Sequence, residues 1–164
     1  MKRSIIVLIA LAITTLVFAQ DQTTFILVRH AEKADDGTKN PPLNEDGKSR
    51  ALNLAALMEN QEITALYSTP YKRTQETLQP LATKKGLETQ EYEPRAGSDW
   101  LAKLYSEHTG GTVVIVGHSN TIPALANHLL GNEAFAQFDE KEYSNLIVIV
   151  GSEVGNGKLV RLSY

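Results

Sequence analysis

Leu27-Val28-Arg29-His30-Ala31-Glu32-Lys33 is the stretch whose reading decides the fold. It continues an apolar run, Phe25–Val28, with turn-type residues on either side, and then breaks into charge. A short run of this length, without the alternation of a half-exposed strand, reads as a buried β-strand. Its last residues then stand at the rim of a sheet. The same pattern recurs at Val116-Gly117-His118-Ser119-Asn120, after the strand expected over Thr112–Val116. Between the two lies Tyr67-Ser68-Thr69-Pro70-Tyr71-Lys72-Arg73-Thr74, which follows an expected strand at Ile63–Tyr67.

Working outward, residues 31–43 are polar, with Asp35-Asp36-Gly37 and Pro41-Pro42, and read as a long loop. Asn44-Glu45-Asp46 has the signature of a helix start, with acids in the first turn. Ala51, Leu54, Ala55 and Met58 then form an apolar stripe at helical spacing. A second helix is expected from Pro70 to about Lys85, closed by Gly86, and an edge strand over Glu88–Tyr92. Further helices are expected from Trp100 to about Glu107 and from about Ile122 to just before Gly131. Leu146–Val150 and Lys158–Leu162 flank the turn-rich Gly151–Gly157 and read as a hairpin. Strands separated by helices favour an α/β fold with a mostly parallel sheet and helices on both faces.

The chain has 164 residues, a formal charge of −3 and no cysteine. That length suits one domain, and the missing thiols exclude disulfides, thiol nucleophiles and Cys-ligated metal. Residues 1–19 read as a signal peptide: Lys2 and Arg3, an apolar run from Ile5 to Phe18, then Val17 and Ala19 in a cleavage context. The run falls short of the ~20 residues of a spanning helix. Residues 20–164 would then form the exported domain, periplasmic or extracellular, with no stable membrane association after cleavage. A retained anchor is the alternative. Loss of Lys2 and Arg3 makes the chain more acidic still, which argues against nucleic acid as a partner.

In open α/β sheets ligands collect beyond the carboxyl ends of the strands. Arg29, His30, Arg73 and His118 all fall on that rim, where they can converge on one dianion. Thr69 is expected to cap the helix beginning at Pro70, and Asn120 the helix containing Pro123, each offering free N–H groups to an anion. A neutral imidazole can attack phosphorus in line, while the arginines and the second histidine balance charge on the equatorial oxygens. No His-x-His or His-Glu-x-x-His spacing is present, which argues against a metal site. The leaving oxygen needs a proton from a nearby carboxylic acid.

Leu27-Val28-Arg29-His30-Ala31-Glu32 resembles the first motif of the histidine phosphatase superfamily, the phosphoglycerate-mutase-like proteins, with Ala31 where glycine is commoner. Ser68-Thr69-Pro70-Tyr71-Lys72-Arg73-Thr74-Gln75-Glu76-Thr77 resembles the second block, and Gly117-His118-Ser119-Asn120 the third. The resemblance implies that His30 is the phosphorylated nucleophile. Arg29, Arg73 and His118 would form the phosphate pocket, with Ser119 and Asn120 as further substrate contacts. It implies a phosphatase that works without metal or other cofactor on a small phosphorylated substrate or a phosphoprotein. The family's proton donor is usually a glutamate between the second and third blocks. Glu93, just past a strand and before Pro94, is the expectation, with Glu91, Asp99 and Glu32 as alternatives.

Three rival readings remain. Gly117-His118-Ser119-Asn120-Thr121 nearly spells the Gly-x-Ser-x-Gly elbow of a serine hydrolase. Thr121 breaks it, and the only later histidine, His128, lies on the same expected helix. A phosphoester-binding module without turnover would have no need of the nucleophilic His30. Mutase-type phosphoryl transfer is the third, and the chain has little room for a large substrate lid. His108, near a helix C-terminus, and His128, within a helix, need no functional role.

Overall fold

The computed structural model describes residues 21–164, so the expected signal peptide over 1–19 lies outside the described residues. Six strands form one sheet: β1 (Thr23–Arg29), β2 (Ala65–Ser68), β3 (Thr89–Glu91), β4 (Thr112–Gly117), β5 (Asn145–Gly151) and β6 (Lys158–Ser163). Their order is β3-β2-β4-β1-β5-β6. The β3/β2, β2/β4 and β4/β1 pairs are parallel; β5 runs antiparallel to both β1 and β6, forming the expected C-terminal hairpin. Among the described residues the helices are α1 (Glu45–Leu57), α2 (Lys72–Lys85), α3 (Ser98–Glu107) and α4 (Thr121–Leu130). Among the described residues, no helix is long and apolar enough to cross a membrane.

The two faces of β1 explain the layering. Phe25 and Leu27 join a core with Leu101 and Leu104 of α3 and Leu125 and Leu129 of α4. Ile26 and Val28, one residue out of phase, join a second core with Leu54 of α1, its C-cap Met58, and Leu78 and Leu81 of α2. A strand covered on both sides must be apolar at successive positions, which is why its sequence does not alternate. The stripe expected on α1 is the face it buries: Ala51, Leu54, Ala55 and Met58 are all buried.

Two helix starts differ from expectation. α2 begins at Lys72 rather than Pro70, with Tyr71 as an N-cap that makes no side-chain capping bond. Thr69 does not cap it, because its hydroxyl bonds Thr74 Oγ1 at 3.0 Å and His118 Nε2 at 2.9 Å instead. Nor is the first N–H of α2 open to an anion: Lys72 N donates to Asn40 Oδ1. Asn120 stands at the N-cap of α4 in helical conformation, again without a side-chain bond. The hydroxyl of Thr121 accepts from His118 N at 2.9 Å, tying that turn together in its place.

Candidate active site

Strand register builds the centre of the site. Arg29 of β1 pairs with Gly117 of β4 at the carboxyl ends of adjacent parallel strands, so His30 and His118 leave the sheet side by side. His30 N donates to Gly117 O at 2.9 Å, and the two imidazole centroids are 5.5 Å apart. Gly117 is required at this crossing. A Cβ there would stand 2.6 Å from Tyr92 Oη and 2.7 Å from Thr121 Oγ1.

His30 is almost fully buried, and its Nδ1 lies 2.8 Å from the carbonyl oxygen of Ala31. A carbonyl only accepts, so Nδ1 carries the hydrogen and Nε2 keeps its lone pair. Burial pushes the His30 pKa down to about 3; the Ala31 hydrogen bond opposes this, while the charges of Arg29 and Arg73 reinforce it. His118 is pushed down to about 4, by burial first and then by Arg73 and Arg29. Both rings are therefore neutral near pH 7. Arg73 Nη2 makes a long 3.4 Å contact to His118 Nδ1, which can only accept from a guanidinium. His118 Nε2 is then the protonated nitrogen and donates to Thr69.

The two arginines are held by different means. Arg29 is 1% exposed, and its Nη1 donates to the carbonyls of Asp139 (2.7 Å) and Glu142 (3.0 Å). Its Nη2 reaches the Glu140 carbonyl and, at 3.1 Å, the Glu140 carboxylate. The Tyr143 ring covers the guanidinium at 4.2 Å. Arg73, on the first turn of α2, lies 4.6 Å from the centre of the Tyr71 ring. Among the described residues, Nε of each arginine is buried without a hydrogen-bond partner. Buried donors left unpaired are costly, and two cationic ones beside the histidine pair suit an oxyanion.

The remaining expected residues divide. Ser119 belongs to the site: its Oγ donates to Glu140 Oε1 at 2.9 Å. Asn120 is exposed and makes no side-chain hydrogen bond among the described residues. Glu93 is exposed in the loop after β3, on the same rim as the other strand ends. Glu91 Oε1 accepts from Gln75, and Asp99 lies in the first turn of α3. Glu32 is bonded to Arg50 and not to the histidines or arginines of the site. Although burial works against its charge, bonds of 2.7–3.0 Å from Arg50 hold its carboxyl below the usual range.

The serine-hydrolase reading fails on geometry: the hydroxyl of Ser119 meets a carboxylate, while His128 pairs with Ser98. Sequence reading missed Glu140 and Tyr143. They lie in an irregular segment before β5, with neither periodicity nor a motif to mark them.

A model of the histidine phosphatase superfamily (branch 1) matches residues 25–97. This span includes the blocks around His30 and Arg73. Over an alignment of 69 residues the chain is 39% identical to phosphoserine phosphatase 1 of Hydrogenobacter thermophilus, covering 38% of this chain and 33% of that protein. The match thus spans only a third of the curated relative's length. Two solved structures share the fold. The protein histidine phosphatase SixA complexed with tungstate has a TM-score of 0.71 at 19% identity, covering 85% of this chain and 96% of that one. A mycobacterial glucosyl-3-phosphoglycerate phosphatase has a TM-score of 0.69 at 15% identity, covering 87% and 98%. In its motif blocks over residues 25–97 the chain is similar to the histidine phosphatase superfamily, and in its mixed sheet it shares the fold of these structures. His118 lies beyond the matched residues and enters the site through strand register.

Proposed function

We propose that the protein is a phosphatase that hydrolyses phosphomonoesters, or protein phosphohistidine, through a phosphohistidine formed on His30. The observation that carries this reading is the His30 tautomer: Nδ1 is committed to the Ala31 carbonyl, leaving the lone pair of Nε2 free on a neutral ring beside His118. In the first step Nε2 forms a bond to phosphorus as the bond to the leaving group breaks, and the leaving atom takes a proton from a carboxylic acid. Water then attacks phosphorus, the N–P bond breaks, its electrons return to His30 and inorganic phosphate departs.

Arg29, Arg73 and His118 supply the charge stabilisation that other phosphoryl-transfer sites obtain from a cation, so the reaction needs no metal. Ser119 adds a hydroxyl to the pocket, and Glu93 is the donor expected from sequence. The similar proteins include a phosphoserine phosphatase, a glucosyl-3-phosphoglycerate phosphatase and a protein histidine phosphatase, which supports a phosphorylated small molecule or protein as substrate. Residues 20–164 would act outside the cytoplasm after removal of residues 1–19.

The test is a panel of phosphoesters and a phosphohistidine peptide, assayed in excess chelator. Phosphate release that survives chelation and is inhibited by vanadate is expected. Activity lost on chelation and restored by a divalent ion would overturn the metal-free reading.

A further inference from the structure

We propose that Glu140 is a catalytic residue, the carboxylic acid that protonates the leaving group. This rests on the phosphatase reading above. Among the described residues, Glu140 is the only carboxylate bonded to any of Arg29, His30, Arg73, His118 or Ser119. Its Oε2 lies 3.1 Å from Arg29 Nη2 and its Oε1 2.9 Å from Ser119 Oγ. Arg29 directly precedes His30 and Ser119 directly follows His118, so these two bonds set the Glu140 carboxylate beside both histidines' strand ends.

The backbone around Glu140 is anchored there. Phe138 N donates to Ser119 O at 2.9 Å, and the carbonyls of Asp139, Glu140 and Glu142 accept from Arg29. The side chain itself is 68% exposed, so it can exchange protons with solvent between turnovers. Glu93, by contrast, makes no side-chain hydrogen bond or ion pair with these residues among the described residues.

In the reactive complex one proton from solvent is held between Glu140 and the bound phosphate, which share the Arg29 guanidinium through different nitrogens. Phosphoryl oxygens can take the unpartnered Nε groups of Arg29 and Arg73. As the P–O bond breaks, its electrons go to the leaving oxygen, which takes the Glu140 proton. In the second step the carboxylate accepts a proton from the attacking water, restoring the acid.

Leaving-group dependence is the test. Kinetics of wild type, Glu140→Gln and Glu93→Gln are compared on an alkyl phosphate and on 4-nitrophenyl phosphate, whose leaving group needs little protonation. Glu140→Gln is expected to lose roughly 100-fold or more in kcat on the alkyl ester, and less than about 5-fold on the nitrophenyl ester. A thermal melt checks that the variant folds; this exposed substitution should leave it unchanged. An equal loss on both esters would make Glu140 only a support for Arg29 and overturn the proposal. So would a gain of activity, or the selective loss appearing in Glu93→Gln instead. Wild type silent on both esters would overturn the phosphatase reading itself, whereas an active wild type with no selective loss sinks this inference alone.

Discussion

Gly47→Ala sets helix propensity against packing at the wall of the site. Gly47 lies in the first turn of α1, where alanine would favour an isolated helix by about 1 kcal/mol. Here a Cβ would overlap the carbonyl oxygen of Glu32, two residues from His30. That oxygen cannot swing aside freely, because it accepts from Asn44 N at 2.9 Å while Gly47 N is itself capped by Asn44 Oδ1. Overpacking against backbone costs up to about 3 kcal/mol, leaving a net loss of roughly 2 kcal/mol after the propensity gain. In a domain of this size that is a fall in Tm of about 4–8 °C. Relief must come from moving residues 30–32 or α1, and a displacement near 1 Å at a nucleophile costs on the order of 100-fold in rate. Differential scanning calorimetry and phosphatase kinetics on the same preparation check both. An unchanged or raised Tm with wild-type kcat would refute the argument.

Arg73→Ala should cost about 3 kcal/mol of transition-state stabilisation, roughly 100-fold in kcat/KM, and Arg73→Lys should recover little because a point charge cannot reproduce the guanidinium fork. Wild-type kinetics in either variant would mean that Arg73 does not touch the phosphate. The histidine pair predicts a pH dependence of stability. The unfolded chain binds protons near pH 6.5, whereas native His30 and His118 wait until about 3 and about 4. Stability therefore rises with pH between those limits and is lost as pH falls below 6.5. His30 alone accounts for roughly 2 kcal/mol between pH 7 and pH 5, with His118 adding in the same direction. Urea midpoints at the two pH values check this, and equal midpoints would contradict it.

β1 and β4 were legible because burial on both faces demands unbroken apolar runs, and their ends placed Arg29, His30 and His118 correctly on the rim. The strand order was not legible. Placing β4 between β2 and β1 is what juxtaposes the two histidines, and nothing local to either strand specifies its neighbours. Thr69 was misread for a related reason: Ser-Thr-Pro has the pattern of a helix cap, but its hydroxyl is claimed by His118, 49 residues away. Glu140 and Tyr143 were invisible because their positions follow from backbone carbonyls gathered around one buried guanidinium. Carbonyls leave no trace in residue type.

The central claim is covalent: phosphate passes through His30 Nε2. Brief exposure to a labelled phosphoester, rapid quenching in base and peptide mapping by mass spectrometry test it directly. The geometry predicts one base-stable, acid-labile phosphoryl group on His30, absent from the His30→Ala protein, which should fold but not turn over. Label on Ser119 or His118, or undiminished turnover without His30, would contradict it.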